Sequence, residues 1–222
     1  MTAAPRLFLF TGLNRRAEIF RRQVAAIPGA EVVAWPGVRP RETLGRYAQR
    51  LAGSLSSAGP CYLAGCSFGG PVALEVACRL PALACFLIAS VRSPTEFPGW
   101  MRAVRAVPGV ATTIPLSAGV LESFGLPRGA SAPERAWRAW AAGALLGWRP
   151  DPRIARVRVR TIHGGRDRTF PLRHVRAEEV VPDGGHVLPV SHAEAVTRFL
   201  LEGMAGPDRS AAGSGPGGAR RG

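Results

Sequence analysis

CYLAGCSFGGPVALEVACR, residues 61–79, changes character at its middle. Residues 61–64 form an apolar run of strand length, residues 65–70 hold three glycines around a serine, and Pro71 opens a helical pattern over 71–79. A strand running through a tight turn straight into a helix is the repeating unit of a parallel sheet. The same alternation extends to both sides. Strands are predicted over 6–11, 31–35, 84–89, 159–163 and 178–181, and helices over 19–27, 43–55 and 193–204. This is an α/β chain with a mostly parallel sheet of about six strands and helices on both faces.

Between residues 91 and 152 the alternation stops. This stretch is rich in Pro and Gly and carries four of the five tryptophans: Trp100, Trp137, Trp140 and Trp148. Ser131 and Glu134 have capping-box spacing, which predicts a helix from there to Leu146. The segment reads as a helical lid inserted into a single domain of residues 1–203. Its Leu116, Leu121, Phe124 and Leu145 suit an apolar acyl or aryl group, although Trp137 and Trp140, three apart, suffice to pack a helix down. Residues 205–222 are Gly-, Ala- and Ser-rich and are expected to be disordered.

The 222 residues are 46% hydrophobic, enough for a core without metals or disulfides. No apolar run approaches the roughly 20 residues that span a bilayer, and no cleavable leader pattern opens the chain. Cys61, Cys66, Cys78 and Cys85 lack CxxC spacing. They predict free thiols in a reducing, cytoplasmic setting. The formal charge of +14 comes from 29 basic residues, all of them Arg, against 15 acidic ones. Such an excess invites a nucleic-acid reading, strongest over residues 153–176 with eight Arg and one Asp. No nucleic-acid-binding signature accompanies it, and Arg156, Arg158 and Arg160 alternate with valines as the solvated lead-in of a strand.

The chemistry concentrates at Ser67, two residues after Gly65 and two before Gly69. A serine in a sharp strand-to-helix turn projects its Oγ above the sheet edge, and the two glycines relieve the crowding. The N–H of Phe68, freed at the helix N-terminus, points where an oxyanion would form. With 27 Gly in the chain the bare spacing means little; the flanking strand and helix give it weight. A phosphate loop would need a lysine, and the chain has none.

A serine needs a base, and the base an orienting acid. Of the four histidines, His186 follows a strand through Asp183-Gly-Gly185 and precedes the last helix, where a loop can reach back to the serine. His163 ends a strand and reads as locally hydrogen-bonded, His174 as a surface residue and His192 as a cap or surface residue. Asp167, in the loop after strand 159–163, is placed to orient His186. Asp183, three residues from His186, reads as a turn former.

Thr11-Gly12-Leu13, Gly65-Cys-Ser-Phe-Gly-Gly70, His163-Gly-Gly-Arg-Asp167 and Gly185-His186 together resemble the α/β-hydrolase superfamily, over roughly residues 6–203. The resemblance implies a serine hydrolase with Ser67, Asp167 and His186 as catalytic residues, in the chain order usual for that fold. It also implies a second oxyanion donor, the N–H of Leu13, beside that of Phe68. Neither cofactor nor metal is implied, and the substrate is expected to be a small-molecule ester or thioester. Thr11 stands where many relatives have His, the sheet is trimmed at its N-terminal side, and the 19 residues from Asp167 to His186 leave room for little helix. Arg166 and Arg168, flanking Asp167, suit an anionic, carrier-linked acyl substrate. The competing reading is a non-catalytic small-molecule binding protein on the same fold.

Overall fold

The computed structural model describes residues 5–106 and 131–205. Leu116, Leu121 and Phe124 of the expected lid, and residues 206–222 of the expected tail, lie outside them. Six strands form one parallel sheet: β1 (Arg6–Phe10), β2 (Ala30–Val32), β3 (Cys61–Cys66), β4 (Ala82–Ile88), β5 (Val159–Gly164) and β6 (Glu179–Val181). Their order across the sheet is β2-β1-β3-β4-β5-β6.

Successive side chains of a strand point to opposite faces, and here both faces are buried. Phe8, Phe10, Leu63, Cys85 and Leu87 join one apolar cluster, whereas Leu7, Leu9, Ala64, Phe86 and Ile88 join the other. Three helices, α2 (Leu44–Leu55), α3 (Gly69–Ala77) and α5 (Ala132–Leu146), contribute to the first cluster. So does α4 (Gly99–Ala106), through Met101. The second cluster is closed by Phe20 and Ile27 around α1 (Arg21–Ala26), by Leu188 of α6 (Leu188–Ser191), and by Val196, Phe199 and Leu200 of α7 (Ala193–Ala205). Thr43 caps α2 through its Oγ1, and Ser131 with Glu134 forms a reciprocal capping box on α5.

Two expectations need correction. The helix predicted over 19–27 is split into a 3-10 turn, Ala17–Phe20, followed by α1, and Val24 faces solvent. The inward residue is Gln23, whose amide donates to the Pro189 and Ala193 carbonyls. The strand predicted over 31–35 ends at Val32 because its only partner, β1, ends at Phe10; Trp35 turns inward, its indole N–H donating to Thr11 Oγ1 at 2.7 Å. Arg156 closes a 3-10 turn and Arg158 is exposed, so both lead into β5; β6 joins β5 only from Ile162, past Arg160, which is ion-paired to Glu178.

One buried ionic network fixes α3. Glu75, 1% exposed, accepts from the Trp148 indole and the Asp151 N–H on one oxygen and pairs with Arg79 on the other. Arg79 also reaches Asp151, which is held by Arg153. The helix behind Ser67 is thereby tied to the chain entering β5.

Candidate active site

Gly12 and Leu13 follow β1, Ser67 follows β3, Ser90 follows β4, Asp167 follows β5 and His186 follows β6. All lie at the carboxyl end of the parallel strands, the edge where open α/β sheets gather their ligands.

Ser67 adopts φ +54°, the left-handed region that L-residues with a side chain avoid. The turn is held by the Ser67 N–H donating to the Ile88 carbonyl and by the Ser67 carbonyl accepting from Gly70 N–H and, at 2.6 Å, from Ser90 Oγ. A Cβ on Gly65 would lie 2.2 Å from the Gly69 carbonyl oxygen, and one on Gly69 2.2 Å from that of Phe10. Backbone meets backbone on both sides of the serine, so neither position has room for a side chain.

Ser67 Oγ lies 2.8 Å from His186 Nε2, and His186 Nδ1 lies 2.8 Å from Asp167 Oδ2. The Asp167 side chain is fully buried, while the imidazole remains partly open to solvent. Asp167 Oδ1 accepts from the N–H groups of Thr169 and Phe170, so the carboxylate is aimed by its own loop. An Nδ1–H held by the carboxylate leaves Nε2 with its lone pair toward the serine hydroxyl. The Phe170 ring packs edge-on to the imidazole at 5.7 Å. Between Asp167 and His186 the chain makes only a 3-10 turn, Leu172–His174, and the short β6.

The other histidines lie apart from the serine. His163 is fully buried; its Nε2–H donates to the Phe170 carbonyl at 2.7 Å and lies 3.4 Å from Asp167 Oδ2. Burial pulls its pKa below the usual 6.5. His192 pairs with Asp183, and His174 is half-buried. Asp183 lies on an exposed turn. Cys66, beside the serine, is buried, which pushes its thiol up to about 12. It is a packing residue, not a thiolate.

Leu13 and Phe68 are buried in the same apolar cluster, and a Cβ on Gly12 would lie 3.8 Å from Ser67 Oγ. The Leu13 carbonyl accepts from the Trp137 indole N–H at 3.2 Å. Trp35, Trp137 and Trp140 pack round Phe68 with ring centroids 5.8–6.3 Å away, and Tyr47 lies behind them, 4.8 Å from Trp140. Sequence reasoning missed three supports: Ser90 on the serine carbonyl, His163 beside the acid, and Trp137 on the loop after β1. The first and third join residues 23 and 124 apart, which no local pattern reveals. Among the described residues one group of metal-type donors meets, Glu75, Cys78 and Asp151, but Arg79 and Arg153 already occupy its carboxylates.

The sequence pattern of the Alpha/beta hydrolase family matches residues 7–199. No curated protein matches significantly. Solved structures with a similar backbone include ClbQ from the colibactin NRPS/PKS pathway, with a TM-score of 0.64 and 15% identity over 91% of this chain and 99% of that one. A hydrolase from Pseudomonas aeruginosa gives 0.61 and 17% over 91% and 90%. A thermophilic esterase from Thermogutta terrifontis gives 0.56 and 21% over 90% and 89%.

Proposed function

Since the chain belongs to the alpha/beta hydrolase family, we propose that it is a serine hydrolase that cleaves carboxylic ester or acyl thioester bonds through an acyl-enzyme on Ser67. The observation that carries this reading is the continuous chain of 2.8 Å contacts from Ser67 Oγ through His186 to the buried carboxylate of Asp167. In acylation His186 Nε2 takes the hydroxyl proton as Oγ attacks the acyl carbon. The N–H groups of Leu13 and Phe68 receive the oxyanion, and Asp167 stabilises the imidazolium. The proton then passes to the departing alkoxide or thiolate. Water, deprotonated by His186, attacks the acyl-enzyme, releases the acid and restores the serine.

Of the segment inserted before β5, α5 acts as a cover over this site, packing on Phe68 and on the loop after β1. Four free cysteines favour a reducing, cytoplasmic setting. Among the described residues no helix is long and apolar enough to cross a membrane.

The test is fluorophosphonate labelling beside steady-state turnover of p-nitrophenyl esters and acyl thioesters. Wild type should label at Ser67 and turn over at least one class, whereas Ser67→Ala should not label and should lose roughly 10⁶ in kcat. Folded wild type that neither labels nor turns over, yet binds esters equally with and without the serine hydroxyl, would establish the binding-protein reading instead.

A further inference from the structure

The loop that presents Asp167 carries a second feature on its outer side. Residues of the 165–173 loop line an open cleft of about 410 Å³, among them Arg166, Arg168 and Arg173 and also Asp167. None of the three guanidiniums forms an ion pair with a described carboxylate. Nearby, Arg92 and Arg160 converge on Glu178, and Arg198 pairs with Glu179. Asp167 is turned inward with its oxygens committed to two backbone N–H groups and His186, and Asp183, which pairs with His192, feels the charge of Arg166.

The cleft is also built on a fixed backbone. Arg166 N–H donates to the Gly184 carbonyl, Asp167 N–H to Gly164, and His174 N–H to Pro171, while Asp167 Oδ1 clamps residues 169 and 170. Three guanidiniums of one sign on a rigid nine-residue loop repel one another unless an anion sits among them. A planar fork of N–H donors matches phosphate oxygens better than any other biological anion except carboxylate. The position decides what bears that phosphate. His186 returns the proton to the leaving group, and the arginines project from the loop that holds His186, so a phosphate here would belong to the departing thiol.

Building on the acyl-transfer reading above, we propose that Arg166, Arg168 and Arg173 form a phosphate subsite for the leaving group, so that the substrate is an acyl thioester of a phosphate-bearing thiol. Such a phosphate can come from a soluble nucleotide thiol, coenzyme A, or from the phosphopantetheine arm of a carrier protein. The shared chemistry is a phosphate ester some distance from the sulfur. The arginines add nothing to the bond-breaking steps; they hold the far end of the substrate while the acyl carbon meets Ser67. Because they are exposed, their contribution falls as salt rises.

The experiment compares wild type with the triple variant Arg166→Gln, Arg168→Gln, Arg173→Gln, each confirmed as folded by fluorophosphonate labelling. Acyl-CoA, acyl-phosphopantetheine and acyl-pantetheine with one common acyl group serve as substrates. In wild type the ratio of kcat/KM for acyl-CoA to that for acyl-pantetheine should be on the order of ten, about 1.4 kcal/mol. It should fall toward one in the variant and at high ionic strength. A full effect with acyl-phosphopantetheine assigns the subsite to the phosphate shared with carrier proteins, and an effect confined to acyl-CoA assigns it to the nucleotide end. Equal ratios in both proteins overturn the proposal. Calorimetric titration with inorganic pyrophosphate tests the subsite independently of turnover. Binding to wild type that the variant loses supports the subsite even if no thioester is cleaved, and absence of binding to wild type overturns it.

Discussion

Ser67 holds a conformation that costs about 1–3 kcal/mol, and it persists because its surroundings over-determine it. Its N–H is anchored to Ile88, its carbonyl takes two donors, and Gly65 and Gly69 let the backbone of residue 69 and of β1 come within contact. Gly12 stands in a different relation to the same serine. A methyl there would lie 3.4 Å from Ser67 Cβ and 3.8 Å from Oγ, ordinary contact distances with no backbone strain. Gly12→Ala should therefore fold with a melting temperature close to wild type, yet crowd the space where a substrate carbonyl approaches Oγ. A loss on the order of 10²-fold in kcat/KM for p-nitrophenyl esters is expected, the cost of misplacing reacting atoms by an ångström. Unchanged kinetics would show that the carbonyl approaches from another side. The elbow glycines are legible in sequence because close approach of two backbones admits no other residue. Ser90 is not, since a serine ending an apolar strand looks the same whether or not its hydroxyl has a distant carbonyl to meet.

Among the secondary-structure elements, sequence and structure agree where periodicity and punctuation coincide. The strand–turn–helix around Ser67 is bounded by glycine and proline, and α5 begins at a capping box whose spacing is visible in the sequence. They part at α1, where Ile19, Val24 and Ile27 suggest one stripe: Ile27 is buried and Ile19 partly so, but Val24 faces solvent and a polar side chain, Gln23, takes the inward position to bind two distant carbonyls. Asp167 and His186 can be placed on their loops from the strands that precede them; their 2.8 Å meeting depends on the parallel pairing of β5 with β6. A helix far along the chain also reaches this site. Through Trp137, α5 donates a hydrogen bond to the Leu13 carbonyl, and the Arg15 guanidinium lies 4.8 Å over the same indole. Trp137→Phe keeps the aromatic packing and deletes only the donor. It should lower stability by about 1 kcal/mol, with a larger proportional loss in kcat than in substrate affinity if the helix orients the loop after β1. Equal small losses in both would assign the indole to packing alone.

The whole molecule carries a charge of +14, and pairing leaves that excess unchanged, because each carboxylate that meets an arginine is already counted in it. Glu178 holds two arginines, Asp151 two, and Glu75 one in the interior. Where two arginines share one carboxylate a positive charge is left over, and the cleft beside Asp167 gathers three arginines that pair with no described carboxylate. Stability against acid turns on a different group. His163 sits in the interior with Nδ1 lacking any hydrogen-bond partner among the described residues. A proton there would create a buried N–H with nothing to receive it. Desolvation holds the pKa below 6.5 and outweighs Asp167 and Glu96, which favour the proton; His186 opposes it as well. Between the folded value and 6.5 the unfolded chain binds more protons than the folded one, so stability rises with pH through that window and falls as pH drops through it. The urea midpoint of wild type should drop between pH 7.5 and pH 5. His163→Gln keeps an N–H donor for the Phe170 carbonyl but cannot titrate, so its midpoint should drop less over the same interval, the unfolding free energies diverging by up to about 1.4 kcal/mol for each pH unit between the unfolded and folded values. The comparison is between slopes, so it holds even if glutamine packs less well and lowers both midpoints. Parallel slopes would transfer the acid sensitivity from His163 to the paired carboxylates.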